Sequence, residues 1–218
     1  MFQSSGVHGP VLGPTSALII DVVLLGLAFW MLASPNMKRI SNILTFVTLI
    51  ATISLLRIAM TPLPNIQPVT VACLLIGAQL GARRGVAFAV LVTMITNFIL
   101  GDGIWTLYQA LGWSIVAIIG SQAKLIMNEK LLIGRTYLFA IISAFLFDII
   151  VSLSVIGTVS TNGFMLYLIN GVPYDVIHAL GNLTIVAWFG TWFTKAISQF
   201  ETMEEIENKV VDGYVLRT

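Results

Sequence analysis

Seven apolar runs with almost no charge inside them divide this chain: Ser16–Ala33, Ile43–Met60, Val69–Gly81, Gly85–Leu100, Leu107–Ile126, Tyr137–Ile156 and Tyr174–Ala196. Only 10% of the residues are charged and 57% are hydrophobic, against about 25% charged in a soluble domain. Such a chain cannot cover a water-facing surface. It reads as an integral membrane protein, and in hydrocarbon every backbone polar group must be satisfied internally, which leaves helices for runs of this length. The fold class expected is therefore an all-α integral membrane protein filling the whole length. A net charge of +1 argues against a nucleic-acid partner. Cys73 is alone and lies in an apolar run, so it reads as an inert core thiol.

The basic residues set an orientation. Lys38 and Arg39 follow the first run, Arg83 and Arg84 sit between the third and fourth, Lys124, Lys130 and Arg135 surround the link between the fifth and sixth, and Lys195 closes the seventh. Lys209 and Arg217 lie in the tail. All fall on one side, the opposite connections hold no Lys or Arg, and Arg57 alone breaks the pattern. The positive-inside rule then places the N-terminus outside and the tail in the cytoplasm of a multi-pass cell-membrane protein. The first run has no basic residue before it, so it reads as a retained helix and not as a cleaved signal. The tail, Gln199–Thr218, carries Phe200, Met203, Ile206 and Val210 at helical spacing between glutamates, which reads as an amphipathic cytoplasmic continuation.

Two runs are too short. Val69–Gly81 and Gly85–Leu100 reach ~20–24 Å at ~1.5 Å per residue, against ~30 Å of hydrocarbon. Short or Gly/Pro-interrupted spans point to a binding site, and the Pro62–Pro68 stretch between runs two and three is expected to fold back into the bundle. The polar residues fit that reading. Arg57, Asn97, Asp148, His178 and Asn182, the loop residues Asn65 and Gln67, and Trp105, Tyr108, Gln109 and Trp113 all fall in the outer half of the membrane. Trp105, Gln109 and Trp113 are spaced i, i+4, i+8, as are Tyr174, His178 and Asn182, so each set shares a helix face. Aromatic surface mixed with donors and acceptors suits a ligand with a bulky apolar body and polar edges. The structural alternatives are an interfacial aromatic belt for the tryptophans, interhelical hydrogen bonds for Asn97 and Asn182, a satisfied core histidine at His178, and mutual neutralisation of Arg57 and Asp148.

Several chemistries lack their signatures. The chain has no GxxxxGK[ST] phosphate loop, no HExxH and no CxxC, and its only histidines are His8 and His178. No metal centre or cofactor is implied. Lys195, at the inner end of its run, is not placed for a mid-membrane Schiff base.

The order Pro64-Asn65-Ile66-Gln67-Pro68-Val69-Thr70, then Gly81-Ala82-Arg83-Arg84-Gly85, then Asn97, then Gly101-Asp102-Gly103-Ile104-Trp105-Thr106-Leu107-Tyr108-Gln109, with a last helix opening at Gly171-Val172-Pro173-Tyr174-Asp175-Val176-Ile177-His178, resembles the substrate-binding S component of energy-coupling factor (ECF) vitamin transporters. The asparagine–glutamine–proline loop and the tryptophan–glutamine helix look most like the cobalamin-type branch. The resemblance spans roughly Ile43–Ala196. It implies a six-helix core at residues 40–198, preceded by an N-terminal tail and extra transmembrane helix at 1–39 and followed by the tail at 199–218. It also implies a non-enzymatic subunit that captures a vitamin-like small molecule from outside and works with a transmembrane coupling subunit and two ATPase subunits. Asn65 and Gln67 would help close the pocket, and Trp105, Gln109, Trp113, His178 and Asn182 would line it. Two features depart from the family: the extra leading helix, and Leu55 four residues after Ala51 where the family carries a second alanine, with Thr48 and Thr52 as a substitute small-residue surface. The competing readings from the residues are a self-sufficient transporter driven by protonation of Asp148 or Asp21, and a small membrane enzyme centred on His178.

Overall fold

The computed structural model describes residues 5–6, 9–10, 12–33 and 40–198. The amphipathic tail, Lys38, Arg39, Lys209 and Arg217 lie outside them. Six helices dominate: α1 (Pro14–Leu32), α2 (Ile40–Ala59), α3 (Val69–Leu100), α4 (Ile104–Gln122), α5 (Ile133–Ser152) and α6 (Thr161–Ile185), the last running on through a π-turn at Val186–Gly190 to residue 198. Four two-residue strands form small antiparallel pairs, β1 (Ser5–Gly6) with β2 (Gly9–Pro10) and β3 (Ile126–Met127) with β4 (Lys130–Leu131). The second pair turns through Asn128 and Glu129, both at positive φ, as a tight right-twisting hairpin requires. Five of the helical segments are long and apolar enough to cross a membrane, and Ile43–Ala59 within α2 is a shorter apolar helix. The protein is a multi-pass α-helical membrane protein.

α3 is not one rod. Gly81 stands at φ 83°, ψ 168°, a conformation that only glycine adopts without strain. The chain doubles back there: a side chain on Gly85 would lie 3.1 Å from the Gly77 Cα. The two short runs are thus the arms of a helical hairpin, 69–80 and 82–100. The first arm is the centre of the molecule, with Val69, Cys73, Leu74, Leu75 and Ile76 wholly buried. α4 packs against it backbone to backbone. A β-carbon on Gly77 would collide with the Ala117 carbonyl, and one on Gly120 with the Leu74 carbonyl. Small residues at these contacts let the helix axes approach, the means by which helices associate where hydrophobic exclusion from lipid gives no drive.

α1 is peripheral. Leu24 and Ala28 pack against Val86 and Val90 of the second hairpin arm and Ala110 of α4, while Phe29 and Trp30 stay exposed. Arg83 donates to the Trp30 carbonyl at 3.4 Å and lies over its ring. Arg135 donates to the Lys124 carbonyl at 3.2 Å, and Gln79 to that of Thr194, beside Lys195, at 2.8 Å. These contacts gather the described cations at one end of the bundle, with Arg57 at the other, so the alternation in the sequence is an arrangement in space.

Several helix boundaries differ from the sequence reading, and two of them bear on the site. α4 begins at Ile104, directly after Gly103, and the Asp102 carboxylate before it accepts from the Gly103 amide at 2.8 Å and from the Thr106 hydroxyl. The last helix does not open at Gly171–Tyr174. It opens at Thr161, where the Ser160 hydroxyl accepts from the Gly163 amide at 3.2 Å, and Pro173 lies inside it. Proline ends helices in water but is tolerated in membrane helices, whose neighbours re-satisfy the freed carbonyl.

Candidate binding site

At the end of the bundle away from the cations, a network of two hydrogen-bonded branches joined by a cation–π contact connects α2, the 61–68 loop, both hairpin arms, α4, α5 and α6. Its hub is Arg57, only 4% exposed. Its Nε donates to Gln67 Oε1 at 3.3 Å, its Nη2 to Gln109 Oε1 at 3.3 Å, and its Nη1 to the Thr96 hydroxyl. The guanidinium carbon lies 4.7 Å above the Trp113 ring, a cation–π distance. Asn97 extends the network, with Nδ2 2.8 Å from both Gln109 Oε1 and the Thr106 hydroxyl, which in turn reaches Asp102.

A second branch starts at Trp113. Its indole N–H donates to Thr70 Oγ1 at 3.1 Å, Thr70 Oγ1 is 2.9 Å from His178 Nε2, and His178 Nδ1 is 2.9 Å from Asp148 Oδ2. One proton arrangement satisfies every member. Asp148 fixes the imidazole proton on Nδ1, Nε2 becomes the acceptor for the Thr70 hydroxyl, and the Thr70 oxygen is free to accept from Trp113. A neutral His178 thus completes the chain. Phe147 binds the rings together, stacked on Trp113 at 4.5 Å and edge-on to His178 at 5.7 Å. Asp175 lies close enough to Asp148 for their carboxyls to interact.

The 61–68 loop lies across this network. Asn65, at φ 54°, donates through Nδ2 to the Tyr174 carbonyl of α6 at 3.3 Å. Ile66 fills the space over Gly181, where a β-carbon would come within 3.2 Å of its side chain. Gln67 reaches Arg57. The loop is fastened to α6 at one side and α2 at the other, but only its second half turns toward the bundle: Thr61–Pro64 are exposed, so the expected fold-back of Pro62–Pro68 is partial.

Of the expected site residues, Arg57, Gln67, Asn97, Gln109, Trp113, Asp148 and His178 meet in the network. Asn65 holds the loop. Asn182, one turn beyond His178, donates to the Ala140 carbonyl at 3.1 Å, but its buried Oδ1 and the nearby Ser143 hydroxyl on α5 have no partner among the described residues. Trp105 packs over Gly103 and donates to the Gly101 carbonyl at 3.3 Å. Tyr108 is half-buried and makes no hydrogen bond among the described residues. One pairing is corrected: Arg57 and Asp148 do not neutralise each other, because Asp148 is taken by His178 and Arg57 by neutral oxygens. The sequence reading missed Thr70, Thr96, Thr106 and Phe147. Threonines in membrane helices usually bond back one turn, as Thr93 and Thr96 do, so spacing gives no sign of a bridging role.

The fold and this network define a polytopic membrane protein with a buried polar and aromatic network, bridged by a loop, at one end of the bundle. The chain belongs to a family of unknown function, DUF6580, whose model matches residues 37–203; α1 precedes the matched region. No curated protein and no solved structure gives a match.

Proposed function

We propose that this chain is a solute-capturing membrane subunit of an ECF-type importer. It binds a vitamin-like molecule, a cobalamin-type compound being favoured by the resemblance of its loop and α4, and acts by binding alone. In this reading the loop end of the bundle faces outward and the cationic end inward, with the N-terminus outside. Release and reorientation require a transmembrane coupling subunit and two ATPase subunits. Residues 40–198 form the binding core, and α1 is an addition to it.

The observation that carries the proposal is the 61–68 loop. It bridges α6 and α2 through Asn65, Ile66 and Gln67, and Gln67 meets the buried Arg57 at the hub of the polar network, so a solute that engages Arg57 would meet the loop as well. Purified protein should bind one of cobalamin, riboflavin, thiamine, biotin or pantothenate without ATP, and Gln109→Ala and His178→Ala should each weaken that binding. A complete screen with no binding at millimolar ligand would refute the proposal. The Asp148–His178 pair supports a second reading, a proton-coupled transporter. Uptake by the reconstituted chain alone under a proton gradient would favour it over the first.

A further inference from the structure

Arg57 poses a problem that a purely apolar or amide-rich ligand would leave standing. Its guanidinium is buried in a membrane helix, stays charged, and has no carboxylate within ion-pair distance among the described residues, where the one contact between a carboxylate and a basic side chain is that of Asp148 with His178. Its partners are a hydroxyl, two carboxamide oxygens and an indole face. A buried charge without a counter-charge is costly.

The arrangement of those partners is informative. Nη1 is tied to Thr96. Nε and Nη2 together make the edge of the guanidinium that receives a carboxylate or phosphate side-on through two parallel N–H bonds. Here that edge is shared by two oxygens from different elements, Gln67 Oε1 of the loop and Gln109 Oε1 of α4, each at 3.3 Å, beyond the ~2.7–3.2 Å of a good N–H···O bond. Each oxygen meets one donor of that edge, where a single carboxylate or phosphate would engage both. Both glutamines are half-buried, so they stand between Arg57 and the surface of the bundle. They are also held unequally. Gln109 Oε1 is fixed by Asn97 at 2.8 Å, whereas the Gln67 side chain is bonded only to Arg57 among the described residues.

We infer that the Nε/Nη2 edge of Arg57 is a receptor for an oxyanion, a carboxylate or a phosphate, carried by the bound solute. The anion displaces the Gln67 oxygen, and a rotated Gln67 carboxamide then donates its N–H to the anion. This draws the 61–68 loop onto the ligand and couples charge recognition to closure. The inference rests on the solute-binding reading above and adds to it the charge of the ligand.

Matched pairs of probes separate the two claims. Detergent-purified full-length protein is titrated with pantothenate and its alcohol panthenol, with nicotinate and nicotinamide, and with riboflavin 5′-phosphate and riboflavin, following tryptophan fluorescence. The anionic member of at least one pair should bind about tenfold or more tightly than its neutral partner, equivalent to ~1.4 kcal/mol, and the preference should vanish in Arg57→Gln. The phosphate pair against the two carboxylate pairs identifies the anion. Binding with no preference for charge in any pair overturns the inference and leaves solute capture standing; no binding of any of the six overturns the inference, and solute capture falls with it only if cobalamin, thiamine and biotin also fail to bind. A second variant needs no ligand. Gln109→Glu supplies a carboxylate to the same edge, so it should raise the thermal midpoint of the purified protein and remove the anion preference. A lowered midpoint would show that the edge does not accept an anion, whether or not Arg57→Gln folds.

Discussion

Replacing Thr70 with valine tests the branch that joins Trp113 to Asp148. The two side chains have nearly the same shape, and Thr70 is only 2% exposed, so the change removes a hydroxyl and little else. That hydroxyl takes the Trp113 N–H at 3.1 Å and meets His178 Nε2 at 2.9 Å. Side-chain hydrogen bonds between membrane helices average about 0.6 kcal/mol and reach about 1.7, so losing two gives about 1–3 kcal/mol, the upper part of the range applying because an indole N–H and an imidazole nitrogen are left buried without partners. Thr48 is the control. Its hydroxyl is exposed and bonds only the Leu44 carbonyl one turn back, so Thr48→Val should change stability by less than about 0.5 kcal/mol. Thr70→Ser should recover most of the loss. Equilibrium unfolding of the three variants in mixed micelles reads these differences. If Thr70→Val and Thr48→Val are equally stable, Thr70 does not bridge the two rings and the proton arrangement assigned to His178 has no support.

Four further outcomes follow from the same contacts. Gly77→Ala and Gly120→Ala should each destabilise by about 2 kcal/mol or more, since the new methyl meets helix backbone and not a movable side chain; Gly26→Ala, in open space on α1, should be neutral or slightly stabilising, and an unfolding series that ranks all three alike would contradict the hairpin packing. His178→Ala should cost about 3 kcal/mol in the same assay by stranding the Asp148 carboxylate, with Asp148→Asn recovering part of it in the double variant; strict additivity would refute the pairing. Gly181→Val should press on Ile66 and unseat the loop, weakening solute binding severalfold while unfolding stays within about 1 kcal/mol of wild type; unchanged affinity would separate the loop from the site. Asn65→Ala removes the bond to the Tyr174 carbonyl and should increase protease cleavage at 61–68; unaltered cleavage would mean that Ile66 and Gln67 hold the loop without it.

What could be read from the sequence was what depends on local composition. The apolar runs gave the helices because lipid leaves the backbone no alternative. The reversal at Gly81 was visible as two runs too short to span, separated by a glycine and two arginines. The start of α6 was not visible: residues 161–173 include Asn162, Gly163, Asn170 and Gly171, too polar to read as a span, and Pro173 resembled a helix opening. The site was legible as a set but not as a wiring diagram. Depth grouped Arg57, Asp148 and His178, yet periodicity along one helix says nothing of which residue on another helix it faces. The sequence therefore offered Arg57 as the partner of Asp148, and helix packing chose His178 instead. Thr70 carried no signal at all, because its role depends on two rings more than forty residues away in the chain.

The central position of the 69–80 arm constrains how the molecule is made. At ~18 Å for its length, this arm is too short to cross a bilayer unaided, and in the finished protein it is walled by other helices and not by acyl chains. It cannot be threaded into lipid as an independent stop-transfer segment during synthesis. It must enter together with the 82–100 arm, or wait at the insertion machinery until α4 has emerged to sheath it. In either case its placement waits on residues made after it, and a ribosome stalled before Leu100 should yield a chain whose central helix has not yet taken its place.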